Sequence, residues 1–286
     1  MFDKRLLIVS GKGGVGKSAV AGAIAIEAAR RGLQVLAMGL TDPVGIAGHL
    51  AAPHARYEPL QVRPGISLVV IDRARALDEY LKLQLRVPKM APTGQLTRAL
   101  NLLVDTAPGV REIISIGKPV YEVWKDRWDL VVVDAPALGQ LRSYLRAPET
   151  IAGLVPAGAV REQAASIGRT IADPAVAGLV LVTTPAELPV VETLESLHDL
   201  EVDAPIEVTR IIANRVLDPL DVERDRLAQV PDGPARSAAL LHLDMVEDQH
   251  RWLARLPAGI RLPFLFGTLT PEEVAARLSE ELGAER

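Results

Sequence analysis

At 286 residues, 49 % of them apolar but only 3 % aromatic, the chain can bury a sizeable core built mainly of Ala, Val, Leu and Ile. Its net charge of −4 argues against a broad basic footprint for nucleic acid. With no cysteine it can form no disulfide, no iron–sulfur cluster, no Cys-based zinc site and no thiol arsenite ligand.

The first apolar run, 5–9, reads as a strand, and residues 19–31 read as a helix. Between them stand Gly11-Lys12-Gly13-Gly14-Val15-Gly16-Lys17-Ser18, in the strand–loop–helix setting that a phosphate-binding loop requires. The glycines let the backbone turn tightly and bring successive N–H groups onto phosphate oxygens. Lys17 supplies a point charge for the β- and γ-phosphates, and the Ser18 hydroxyl can ligate Mg²⁺. The helix that starts at Ala19 turns its positive end toward the same anion. A chance glycine-rich turn is the bland alternative, and the agreement of eight positions and both flanks argues against it.

A second strand, 34–39, leads to Asp42-Pro43, and a third is expected at 67–71. From 74 to 125 the spacing is mostly helical, most clearly at 76–87 and 96–104, with Pro88, Pro92 and Pro108 as punctuation. The run 130–134 is the next strand and ends on Asp134. A carboxylate at the carboxyl end of a buried strand, beside a phosphate-binding loop, is placed for a Mg²⁺–water contact. Residues 156–173 read as a turn and a helix, 178–183 and 208–213 as strands, and 217–256 as two helices separated by 230–234. A short strand is expected at 260–262, then a helix at 270–282 with an acidic polar face, packed on the sheet, and a frayed tail at 283–286. This alternation predicts an α/β fold: a doubly wound, mostly parallel sheet with helices on both faces. One domain over 1–286 is the simplest organisation, with 74–125 and 217–256 forming a small helical subdomain.

Lys12 is not needed to build the loop. With it, the loop resembles the deviant form of one branch of P-loop nucleotidases, which includes Min-type and ParA-type ATPases, the nitrogenase iron protein and the arsenite-pump/tail-anchored-protein-targeting ATPases. That resemblance implies that Lys12 reaches across a dimer interface to the partner's nucleotide; a solvated surface lysine is the alternative. Further segments are similar to the last of these families. Asp134-Ala135-Pro136-Ala137-Leu138-Gly139-Gln140 matches its D-T-A-P-T-G-H switch at Asp134 and Gly139, with the proline displaced by one and Leu138 and Gln140 replacing threonine and histidine. Asp42-Pro43 matches the start of its D-P-A-H-S/N switch, and Val44-Gly45-Ile46 replaces the rest. The implied role of Asp42 is to orient the attacking water, in a reaction dominated by positioning and electrostatics.

The segment from Val182-Thr183-Thr184-Pro185 to Glu192-Thr193 is similar to V-T-x-P-E-x-x-x-x-E-T. It would put Glu187 near the nucleotide or the dimer face, against the competing reading of a glutamate favoured at a helix start. Ala213-Asn214-Arg215 looks like the strand-end V-N-R/K, whose Asn hydrogen-bonds adenine with its paired donor and acceptor. Leu262-Pro263-Phe264-Leu265 resembles the L-P-L-L that lines the base pocket.

The resemblance runs from residue 4 to about residue 280 and implies a prokaryotic member of that family. Its cofactors would be ATP/ADP and Mg²⁺, the metal held by Ser18 and, through water, by Asp42 and Asp134, with no zinc and no iron–sulfur cluster. Marks of the family's best-known tasks are absent. The four methionines stand at 1, 38, 90 and 245, and 151–173 is too short for a methionine-rich client groove. Rival branches fit less well: the acidic terminal helix opposes a Min-type membrane helix, and Arg251, Arg255 and Arg261 make no convincing DNA-binding patch. The histidines, at 49, 54, 198, 242 and 250, lack metal spacing and are expected on the surface or on helix faces. Leu240, Leu241, Met245, Trp252 and Leu253 are expected to face the core, a partner groove being the alternative.

No apolar run approaches the ~20 residues that span a bilayer, and the first strand leaves no room for a signal peptide, so a cytoplasmic protein without a stable membrane anchor is expected. Two functions fit. One is a dimeric Mg-ATPase switch, homodimeric or paired with a paralogous ATPase, acting on an unknown protein or membrane partner and not on nucleic acid. The alternative is a weakly active or inactive ATP-binding subunit beside an active paralogue, which the altered switch segments motivate.

Overall fold

A computed structural model describes residues 1–42, 44–52, 55–72, 75, 76, 79, 109–203 and 206–284. Among them, eight strands form one sheet: β1 (Leu6–Gly11), β2 (Val35–Gly39), β3 (Leu60–Arg63), β4 (Ile66–Val70), β5 (Leu130–Asp134), β6 (Ala177–Thr183), β7 (Val208–Val216) and β8 (Ile260–Pro263). Their order is β3-β4-β2-β5-β1-β6-β7-β8, parallel throughout except for the β3–β4 pair. The helices are α1 (Lys17–Arg30), α2 (Gly45–His49), α3 (Val110–Trp124), α4 (Leu138–Leu154), α5 (Ala159–Ala172), α6 (Glu187–Asp203), α7 (Arg224–Leu227), α8 (Pro234–Leu253) and α9 (Pro271–Ala284).

Strands β1, β2, β5 and β6 are buried along their whole length, as parallel strands covered on both faces must be. The two-residue period of a strand divides their side chains between two cores. Leu6, Ile8, Leu36, Met38, Val131 and Val133 pack with α3, α4 and α5. Leu7, Val9, Ala37, Val132 and Val180 pack with α1 and α9. The α/β, doubly wound, mostly parallel architecture is the one that the sequence predicts.

Several details differ from the sequence reading. The edge strand β3 is antiparallel to β4 across Pro64-Gly65, a turn signal that went unused. Helix α4 was not expected, although Leu138, Leu141, Tyr144, Leu145, Pro148 and Ile151 are buried at helical spacing. Of the two helices expected in 217–256, the first is only the single turn α7. Helix α9 packs on the sheet as expected, beside β8, and also lies along α1, whose Ala- and Gly-rich flank admits it: a Cβ on Gly22 would sit 3.4 Å from the Cβ of Ala275. It also runs through Ala284, so residues 283 and 284 are helical rather than frayed. Its start is a capping box, with Thr270 N–H on Glu273 Oε2 at 2.8 Å and Glu273 N–H on Thr270 Oγ1 at 3.2 Å.

In α8 only Val246 and Leu253 are buried. Leu241 and Met245 are exposed, at 60 % and 47 %, because they line an apolar groove of about 430 Å³ with Pro185, Phe264 and Phe266 rather than the core. The helices expected at 76–87 and 96–104 lie outside the described residues, apart from Ala76 and Glu79, as does His54.

Beneath α3 lies a buried ion cluster. Lys118, 6 % exposed, reaches Glu122 at 2.8 Å and Glu79 at 2.7 Å, and Lys125 reaches Glu122 at 2.9 Å. The Tyr57 hydroxyl donates to Glu79. Burial alone would raise both glutamates, but hydrogen bonds from Lys118 to both, from Lys125 to Glu122 and from Tyr57 to Glu79 hold the two carboxyls below their ordinary range.

Candidate functional site

β1 has β5 on one side and β6 on the other, and the chain leaves it first toward β2 and later toward β6. This is a topological switch point, where a crevice opens at the carboxyl ends of the strands. The loop from Gly11 to Ser18 occupies it, leading into α1. Gly16 has φ +92, and a Cβ there would collide with the Asn214 amide, so glycine is required twice over. Asn214, 4 % exposed at the end of β7, donates to Val15 O at 2.9 Å and accepts from Arg215 N–H at 3.0 Å. The residue expected on adenine thus clamps the loop. Lys17 Nζ donates to Lys12 O at 3.1 Å; burial lowers its pKa, and Asp134 opposes that shift.

Register sets the rest. Asp134 pairs with Val9 on one side and with Gly39 on the other, so β5 carries its carboxylate between the loop strand and the strand that leads to Asp42. The Ser18 hydroxyl and the Ile46 N–H favour the charged form of Asp134. Burial is the largest influence on this carboxyl and, with Asp42 nearby, raises it to about 6 despite Ser18 and Lys17. Asp42 itself is exposed, and its Oδ1 accepts the Val44 N–H at 2.9 Å; Pro43 lies outside the described residues. A Cβ built on Gly45 would stand 2.7 Å from Ser18 Oγ, 3.1 Å from Asp134 Oδ2 and 3.1 Å from Asp42 Oδ2. One hydroxyl and two carboxylates therefore ring a common space. Such an all-oxygen set suits Mg²⁺, a hard cation that keeps several waters. Among the described residues no group of three His, Asp or Glu forms a protein-only metal cage.

Beside this cradle is a cleft of about 640 Å³, the size of a small-molecule site, lined by Gly14, Gly16, Lys17, Ser18, Ala19 and Asn214. Pro263 and Phe264, expected beside the base, form part of its wall. Gly11 and Gly13 belong to the loop but not to this lining. Lys12 Nζ pairs with Glu192 of α6 in the same chain. Glu187 does not line the cleft; it stands exposed in the first turn of α6, where a helix N-terminus favours a carboxylate.

Three cleft features escaped the sequence reading. His49, expected on the surface or on a helix face, closes α2 and is half-buried in the cleft wall, with Nδ1 2.8 Å from Gly45 O. Arg215, at φ +62, also reaches the cleft. Val274 and Leu278 of α9 complete the wall, and their i, i+4 spacing was the available signal.

The sequence profile of the anion-transporting ATPase family matches residues 4–157. The chain is 31 % identical over 271 residues to ATPase BagA of Mycobacterium tuberculosis, covering 91 % of this chain and 75 % of that protein. It is 26 % identical over 237 residues to a Halobacterium salinarum protein named for an arsenical pump-driving ATPase, covering 75 % of this chain and 36 % of that protein. A further match, 26 % identical over 271 residues, is protein Rv2184c of Mycobacterium tuberculosis, of which 63 % is covered.

Proposed function

Because this chain belongs to the anion-transporting ATPase family, we propose that it is a Mg-ATP-dependent switch that hydrolyses ATP to ADP and phosphate, works as a dimer and acts on a protein partner in the cytoplasm. The observation that carries this reading is the meeting of Lys17, Ser18, Asp134 and Asp42 at one cradle beside a nucleotide-sized cleft. The loop N–H groups and Lys17 bind the β- and γ-phosphates. Mg²⁺, held by Ser18 and through water by Asp134 and Asp42, supplies neutralisation of phosphate charge when bound. Asp42 orients water in line with the γ-phosphate; the water oxygen bonds to phosphorus as the bond to the β–γ bridging oxygen breaks, and ADP leaves with that electron pair.

Asn214 and the Pro263-Phe264 wall receive the base. ATP is favoured over GTP, because Asn214-Arg215 lacks the N-K-x-D pattern that sets a carboxylate against guanine donors. The described residues contain no helix long and apolar enough to cross a membrane. We further propose a single domain over 1–286, with a small helical subdomain drawn from 74–125 and 217–256.

Lys12 is the link to the dimer. Its bond to Glu192 is a half-exposed ion pair of the kind worth little, so it is readily exchanged for a partner's phosphate. Light scattering with and without a non-hydrolysable ATP analogue tests this. Asp42→Asn should accumulate as a nucleotide-bound closed dimer, and Lys12→Ala should fail to close. An oligomeric state and conformation that ignore nucleotide would abandon the switch. The second reading, an ATP-binding subunit with little turnover beside an active paralogue, draws on Val44-Gly45-Ile46, Leu138 and Gln140 in the switch segments. A turnover assay of the protein alone and with the paralogue separates the two.

A further inference from the structure

We infer that His49 is a nucleotide-binding residue whose Nε2 accepts a hydrogen bond from a ribose hydroxyl, so that the cleft selects ribonucleotides over deoxyribonucleotides. The inference rests on the nucleotide-site reading above. The phosphates have the loop and Lys17, the base has Asn214 and the Pro263-Phe264 wall, and the sugar of a bound nucleotide lies between the two.

His49 is placed to meet that sugar. It lines the cleft together with Ser18 and Ala19 at the phosphate end and with Val274 and Leu278 of α9. Its Cβ packs over Gly22, 3.1 Å from where a Cβ on that glycine would stand, and the Cβ of Ala275 meets the same point at 3.4 Å. Gly22 follows Ser18 by one turn on the same face of α1, which sets the root of the imidazole roughly 5 Å along the helix from the phosphate-binding residues. The ring thus enters the cleft from the flank of α1 rather than from the loop.

The chemistry of the ring selects a donor. Nδ1 lies 2.8 Å from Gly45 O. A carbonyl only accepts, so this bond assigns the hydrogen to Nδ1 and leaves Nε2 a lone pair. Burial, opposed by the bond to Gly45, holds the pKa of the ring below its ordinary value and so favours this neutral form. Among the described residues Nε2 has no protein partner. In a wall shared with Val274 and Leu278, a half-buried imidazole is costly while one of its nitrogens goes unpaired. Ionised phosphate oxygens only accept and cannot satisfy it. An adenosine nucleotide offers two kinds of donor, the ribose hydroxyls and the exocyclic amine. The amine belongs to the base, which is received at Asn214 and Phe264, and the hydroxyls remain for His49.

The test is titration calorimetry of wild type, His49→Asn and His49→Phe with ADP, with dideoxy-ADP, which lacks both ribose hydroxyls, and with an ADP analogue that lacks the exocyclic amine. Asn can keep the bond to Gly45 O but has nothing at the place of Nε2, and Phe keeps the ring without its nitrogens. Wild type should bind dideoxy-ADP ~10-fold more weakly than ADP, the worth of about one hydrogen bond. Both variants should bind ADP and dideoxy-ADP alike. Equal affinity of wild type for these two ligands, or undiminished discrimination by either folded variant, would overturn the inference alone. So would discrimination against the amine-free analogue that disappears in the variants, because the imidazole would then meet the base. If both variants melt well below wild type without ligand, the ring serves the fold and the inference fails. Absence of ADP binding by wild type would overturn the site reading, and this inference with it.

Discussion

Two clusters of buried charge, one beneath α3 and one at the carboxyl edge of the sheet, answer burial in opposite ways. Under α3, Glu79 and Glu122 are met by Lys118 and Lys125, and both carboxyls lie below their ordinary range although burial alone would raise them. At the edge, burial prevails: Asp134 rises to about 6, with Asp42 adding like charge and only Ser18, Lys17 and the Ile46 N–H against it. The first cluster balances its own charge and needs nothing from outside. The second is short of positive charge, the condition of a site that recruits a cation with its substrate.

The sharpest way to break this contrast is Lys118→Met. Removing one partner of a closed buried network should cost about 3–5 kcal/mol in denaturant unfolding, and a loss under about 1 kcal/mol would show that the cluster is not closed. Asp42→Asn should lower kcat by ~10²–10³-fold with analogue affinity little changed, which steady-state kinetics beside titration can check. Lys17→Ala should weaken nucleotide binding by about 100-fold while the protein stays folded, and near-wild-type affinity would remove the phosphate role of the loop.

The smallest effect is the most diagnostic. Asp134 has a folded pKa above its unfolded value, so its contribution to stability is present below 3.8 and is lost as pH rises toward about 6. In EDTA, Asp134→Asn should therefore gain in Tm relative to wild type across that window and hold the gain above it. Glu79 and Glu122, being depressed, have the opposite sign: their contribution is present above 4.5 and is lost as pH falls. A Tm difference for Asp134→Asn that ignores pH would erase the distinction between the clusters.

What the sequence could show follows the same division between local and non-local. The phosphate loop lies in eight consecutive residues, and the central strands are unbroken apolar runs, so both were legible. Asp134 was legible because it ends such a run. The meeting of Ser18, Asp42 and Asp134 was implied by the family resemblance alone, because it depends on the pairing of Asp134 with Val9 and Gly39, strands far apart in the chain. Gly45 stood in a segment where the family pattern breaks off, with no local sign of what it faces. Lys118 and Glu122 form an i, i+4 pair that reads like any solvated helix pair, and only packing shows that it is buried. The α8 stripe failed for the converse reason: its apolar spacing is helical, but Leu241 and Met245 turn to a groove that the core does not fill. Pro148, in the middle of α4, was the local signal against a helix that burial of its neighbours sustains.

The central place of β1 also sets the order of events during synthesis. The strand that carries the phosphate loop is made first, yet its neighbours are β5 and β6, which pair Leu6 with Val131 and with Ala177. A nascent chain therefore holds β1 unpaired until β5 has emerged, and without its second neighbour until β6 follows, and contacts so distant in sequence close slowly. The nucleotide cleft comes later still, since Asn214, Phe264 and Leu278 all help to line it. Nucleotide can thus stabilise only a chain that has been made through α9, and a ribosome-bound fragment ending before β7 would carry the whole phosphate motif without a site to put it in.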